Sequence, residues 1–286
     1  MNKFIVSLSP HIHGTDTVER NMYGVLIALL PALFVSFAYF GIGSAIVCLT
    51  SVTACIFLEW FINRFVLGNQ RNTILDGSAA LTGLLLGMNL PSNLPIWIIF
   101  IGALFTIGVG KMTFGGLGNN IFNPALVGRC VLLVAFPAQM TSWPQPGHLL
   151  QYTDATTGAT PLALMKQAIQ NHDVEVLNQL PDAFSLLLGN HSLGGGAGTI
   201  GEICGLALLA GFAFMLWRRI IAWHIPISII ATVFVFSGIM HLIDPVYADP
   251  TTVILSGGLL LGAIFMATDY VTSPMTPKGQ LVYGIC

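Results

Sequence analysis

Apolar runs separated by short polar breaks fill most of this chain, near 22–40, 44–62, 78–90, 95–110, 121–137, 199–217, 223–243, 253–268 and from about 279 onward. A helix needs roughly 20 apolar residues to cross a bilayer, and the longer runs reach that length, so the pattern predicts a multi-span helical bundle. The last run meets Cys286 after a handful of residues, so the sequence is expected to stop inside its ninth span. One long polar stretch, 138–198, interrupts the series and predicts a loop outside the bilayer. The expected fold class is an all-α integral membrane protein with short, broken helices. Its expected parts are a first membrane repeat over 1–137, an extracytoplasmic loop over 138–198 and a second membrane repeat over 199–286, incomplete at its C-terminus.

The runs also repeat. Gly83-Leu-Leu-Leu-Gly87 recurs as Gly258-Leu-Leu-Leu-Gly262, an offset of 175, and the same offset carries 22–40 and 44–62 onto 199–217 and about 223–243. Five spans separate the copies, so the two halves are expected to be inverted relative to each other, as in many transporter folds. The short, glycine-bearing runs 78–90 and 253–268 then mark the expected centre of the molecule.

Composition agrees with a membrane setting. With 55% hydrophobic and 8% charged residues and a mean hydropathy of +0.81, the chain lacks the polar side chains to cover a water-facing surface. A net charge of −2 gives no basis for nucleic-acid binding. The first twenty residues hold Asp16, Glu19 and Arg20 and no apolar core, so no cleavable signal is expected and Met22–Phe40 is a retained first span. With the N-terminus in the cytoplasm, Lys3, Arg20, Arg64, Arg71, Lys111, Arg218, Arg219 and Lys278 all fall on the cytoplasmic side and only Lys166 falls outside. That bias follows the positive-inside rule and makes the 138–198 loop periplasmic.

Inside this loop, Gly158 and Ala159 leave the approach to the Thr160 hydroxyl nearly free of side chains, and Pro161 follows. Leu162, Met165 and Ile169 stand at helical spacing, so a short amphipathic helix is expected with Thr160 as N-cap and Pro161 as its first residue. A helix N-terminus offers unpaired amide protons and partial positive charge, which suits a phosphate carried on that hydroxyl. The same Thr-Pro pair also begins ordinary helices.

The stretch Asp154-x-x-Thr157-Gly158-Ala159-Thr160 resembles the flavinylation motif of membrane redox subunits, in which a transferase joins the FMN phosphate to the last threonine. The resemblance implies covalent FMN on Thr160, with Asp154, Thr157, Gly158 and Ala159 recognised by the flavin transferase. Ser9-Pro-His11, Leu29-Leu-Pro-Ala32, Asp76-Gly-Ser-Ala79, Asn123-Pro-Ala125 with Gly128-Arg129, and Ala267-Thr-Asp-Tyr270 with Ser273-Pro274 resemble the RnfD (RsxD) subunits of Rnf complexes. This similarity runs nearly end to end. It implies an electron-carrier subunit of an ion-translocating oxidoreductase in the bacterial inner membrane, linking ferredoxin and NAD to Na+ or H+ movement. The implied partners are a flavin-bearing periplasmic subunit, small integral membrane subunits, and cytoplasmic iron–sulfur and NADH-binding subunits. The sister subunit NqrB, of sodium-pumping NADH:quinone reductases, usually has a longer N-terminal extension; by analogy with it, a second, non-covalent riboflavin would sit in the membrane core. An NqrB-like role, a urea-transporter-like channel and a structural anchor are the alternatives, and fold alone does not decide among them.

Other signals are set aside. Gly196-Ala-Gly198-Thr-Ile-Gly201 matches a dinucleotide fingerprint but follows no strand and leads straight into an apolar run. The cysteines form no Cys-x-x-Cys pair and the histidines have no ligand spacing, so no metal site is expected. Arg129 lies within an apolar run, where a charge demands a partner, and is expected to pair with a buried acid or, together with Asn119, Asn120 and Asn123, to contact a flavin. Glu59, Asp76 and Asp269 are candidates for ion coupling, although each lies near a boundary where a carboxylate can reach water.

Overall fold

The computed structural model describes residues 17–68, 74–144, 158–189 and 198–286, and these residues are helical with no β-strand among them. The first span, α1 (Val18–Phe40), starts where the Thr17 hydroxyl accepts the Arg20 N–H and stops at Gly41, whose φ of +58 ends the helix. Then α2 (Ile42–Phe61) runs on through a widened π turn to Val66. With α10 (His224–Ile243), these are, among the described residues, the three helices long and apolar enough to cross a membrane.

The shorter helices pack among them. In chain order they are α3 (Ser78–Met88), α4 (Ile96–Leu104, prolonged as a π helix to Met112), α5 (Pro124–Ala135) and α6 (Pro137–Met140). After these come α7 (Pro161–Asn171), α8 (Ala183–Leu188), α9 (Gly205–Trp217), α11 (Pro250–Leu255), α12 (Leu259–Leu261, prolonged to Met266) and α13 (Pro277–Ile285). Lipid gives little hydrophobic drive for helix pairing, so close contact depends on small residues. Gly83 on α3 meets α2 so tightly that a Cβ there would lie 2.7 Å from Val52 Cα, and the Ser51 hydroxyl donates to the Gly83 carbonyl at 2.7 Å. On α9, Gly211 faces the Ala28 backbone of α1 in the same way.

Two expected spans differ in detail. The run 199–217 is not one helix: Ile200–Glu202 forms a separate 3-10 turn, tied by the Ile200 N–H to the Leu90 carbonyl at 3.1 Å, before α9 begins at Gly205. The run 253–268 is broken at Ser256–Gly258, where Gly257 adopts a φ of +68, while its counterpart α3 is continuous. After α3 the chain stays buried without helix from Asn89 to Ser92. The first short segment therefore ends inside the protein, against the far end of the second: the Asn89 side-chain amide lies 3.6 Å from the Met266 sulfur.

Candidate functional site

Thr160 does what its sequence position requires. It has extended backbone (φ −75, ψ 156), and its Oγ1 accepts the Ala163 N–H at 3.1 Å as the N-cap of the eleven-residue α7. Gly158 donates to the Trp143 carbonyl at 3.0 Å and Ala159 is exposed, so the approach carries no bulky side chain. Thr160 itself is only 8% exposed. Asp154 and Thr157 lie outside the described residues. A phosphate ester finds a donor here: the Ala163 N–H meets the hydroxyl, and no acidic side chain occupies the first turn.

The buried face of α7 differs from the expected one. Leu164, Met165 and Ala168 are inside, with Leu164 and Ala168 packed against Val176, while Leu162 and Ile169 are more exposed and border an apolar cavity of about 1090 Å³ with α10 and α13. Spacing identified the helix but not its partner. Leu162 also meets Gly257, so the helix carrying Thr160 leans on the break of the second short segment.

Asn120 and Asn123 share a second cavity with Asn21, Ser78, Lys111 and Asp269, its remaining walls being largely aliphatic. Asn120 donates to the Phe122 carbonyl and to Asp269 Oδ2, at 3.2 and 3.1 Å. Asn123 caps α5 by accepting from Ala125 and donates to the Met266 carbonyl at 3.2 Å, joining the two halves of the chain. The volume of this cavity is about 100 Å³.

Lys111 and Glu59 correct the surface reading of both residues. Exposed by only 2% and 1%, they form an ion pair at 2.6 Å. Lys111 Nζ also donates to the Ser78 hydroxyl at 2.6 Å, and that hydroxyl donates to Asp76 Oδ1 at 2.6 Å. A continuous polar chain thus runs Asp76, Ser78, Lys111, Glu59. The π helix that ends at Met112 carries Lys111 into it, and such widened turns often accompany functional positions.

Arg129 does not line the Asn120 cavity. Its Nη1 donates to Asn89 Oδ1 at 2.6 Å, at the C-terminus of α3, where helix carbonyls favour a cation. Glu202 stands close by. A Cβ placed on Gly258 would lie 3.3 Å from Glu202 Oε1 and 3.5 Å from Arg129 Nη1, so both charges reach one point beside the helix break. Glu202, Thr199 and Asn89 escaped the sequence reading. The available signal was an acid at the mouth of an apolar run, in Gly201-Glu202.

Known proteins share this sequence nearly throughout. Residues 5–286 match the sequence model of the NQR2, RnfD, RnfE family. The D-type subunit of a Na(+)-translocating ferredoxin:NAD(+) oxidoreductase complex from Acetobacterium woodii is 40% identical over 280 residues, covering 98% of this chain and 81% of that relative. Its counterpart in a proton-translocating ferredoxin:NAD(+) oxidoreductase complex from Clostridium ljungdahlii is 36% identical over 285 residues, 99% of this chain and 84% of the relative. The D-type subunit of an ion-translocating oxidoreductase complex from Erwinia tasmaniensis is 36% identical over 313 residues, with 99% and 86% covered.

Proposed function

The chain belongs to the NQR2, RnfD, RnfE family, and on that premise we propose that it is the D-type membrane subunit of an ion-translocating ferredoxin:NAD oxidoreductase, carrying FMN covalently on Thr160. Its named relatives support ion-coupled electron transport as the activity of the assembly. The single observation that supports the flavin is the placement of Thr160: a hydroxyl at a helix N-cap, beside Gly158 and Ala159, in the one long polar loop.

FMN bound there supplies one- and two-electron chemistry. The protein supplies position. The Thr160 oxygen forms the ester, and the first-turn amides of α7 stabilise the phosphate charge. Leu162 holds the start of α7 against Gly257 in the second membrane segment. Because Thr160 is mostly buried, transfer of the flavin requires its hydroxyl to be uncovered toward the transferase. The remaining partners in this proposal are the periplasmic flavin subunit, the small membrane subunits and the cytoplasmic iron–sulfur and NADH-binding subunits, in a bacterial inner membrane with the loop facing the periplasm.

Visible absorbance of the denatured chain tests the proposal. Co-expressed with a flavin transferase and purified in denaturant, the chain is expected to keep a flavin spectrum. A colourless polypeptide would leave a channel or an anchor as the better reading.

A further inference from the structure

In the polar chain from Asp76 to Glu59 each member is in contact with the next. Glu202 is different. It is half-buried where the end of α3 meets α12: Gly201 packs against Met88 and Leu261, and Ile200 is tied to Leu90. Its carboxylate faces Arg129 without forming a close ion pair, and the position of Gly198 leaves no room for a side chain on its other flank. Beside it the Thr199 hydroxyl is 0% exposed and completes no hydrogen bond of good geometry.

We infer that Glu202, set between Arg129 and the Thr199 hydroxyl at the junction of the two short membrane helices, is a proton-carrying group of the membrane core. A carboxylate oxygen takes a proton from one side of the membrane to give the neutral acid. It yields that proton toward the other side and regenerates the carboxylate, with no change in electron count at this residue.

Three features suit the exchange. An isolated carboxylate within a membrane is costly, so neutralisation by a proton is favourable. Arg129 does not depend on Glu202 to stay charged, because Asn89 and the carbonyl end of α3 already hold it, so the acid changes state without stranding a cation. The Thr199 hydroxyl serves both states, donating to the carboxylate or accepting from the acid. A metal cation is disfavoured in the same place, since the fixed Arg129 charge reaches the same point beside Gly258. Arg129 and Thr199 are positioning residues, and the inference rests on family membership rather than on the flavin at Thr160.

The test uses the whole complex in sealed inverted vesicles, comparing Glu202→Gln and Glu202→Asp with the parent. Glu202→Gln is expected to lower proton uptake about tenfold or more while uncoupled electron transfer stays within about twofold, with Glu202→Asp intermediate. In-gel flavin fluorescence is measured on the same preparations and stays unchanged, so failure here is distinct from failure of the flavin reading. Unchanged proton uptake in Glu202→Gln would overturn the inference, as would loss of electron transfer in an assembled, uncoupled complex. Should the glutamine variant not assemble, the parent complex decides through dicyclohexylcarbodiimide, which attacks protonated carboxyl groups in apolar surroundings. Peptide mass spectrometry is expected to find the adduct on Glu202, suppressed by raising pH and not by adding Na+. Absence of the adduct, or protection by Na+ at constant pH, would overturn the proton assignment.

Discussion

The Lys111 ammonium stands 2.6 Å from the Glu59 carboxylate, across 52 residues of sequence, and both groups are closed off from solvent. Opposite charges this deep tie α2 to the π extension of α4 and hold the N-terminus of α3 through Ser78.

Removing one member of such a buried pair costs about 3–5 kcal/mol. Lys111→Met is therefore expected to lower the thermal stability of the detergent-purified chain sharply, and Glu59→Gln combined with Lys111→Met to recover most of the loss. Equal destabilisation in the single and double variants would show that Lys111 acts through packing alone.

The repeated glycines are expected to behave unequally. A Cβ at Gly83 would meet Val52 Cα at 2.7 Å and the Ser51 carbonyl oxygen at 2.9 Å, both backbone atoms that cannot swing aside. A Cβ at Gly262 would meet nothing within 4 Å. Gly83→Ala should reduce folded yield, with an overpacking cost of about 1–3 kcal/mol, whereas Gly262→Ala should be tolerated. Similar yields for both variants would contradict the packing at α2 and α3.

Sidedness follows from the lysine and arginine distribution. A reporter fused near residue 170, in α7, is expected to be active only in the periplasm, and one near residue 219 only in the cytoplasm. The opposite result at either site would move the Thr160 loop to the other face.

Helix existence was legible in the sequence because burial in lipid writes itself as long apolar runs, and Thr160-Pro161 announced α7 through capping chemistry. Broken short helices were expected from the glycines of 78–90 and 253–268, but not where the break falls, at Ser256–Gly258, since a glycine pair in an apolar run reads equally as close packing. Long-range pairing was hidden for a different reason. Lys111 looks like an interfacial cation until Glu59 is brought to it, and for Arg129 a buried acid and a flavin stand as equal partners until Asn89 is brought to it. The apolar residues of α7 gave its period, but which of them face inward depends on Val176, beyond the helix itself.

Covalent flavin on Thr160 is the central claim, and in-gel fluorescence of Thr160 variants co-expressed with the transferase reads it most directly. Thr160→Asn keeps a side chain able to cap α7 but has no hydroxyl to esterify, while Thr160→Ala lacks both and loses about 0.5–2 kcal/mol of cap stability. No fluorescent band is expected for either variant, and a retained, weaker band for Thr160→Ser. A band of parental strength in Thr160→Asn would contradict covalent attachment at this residue.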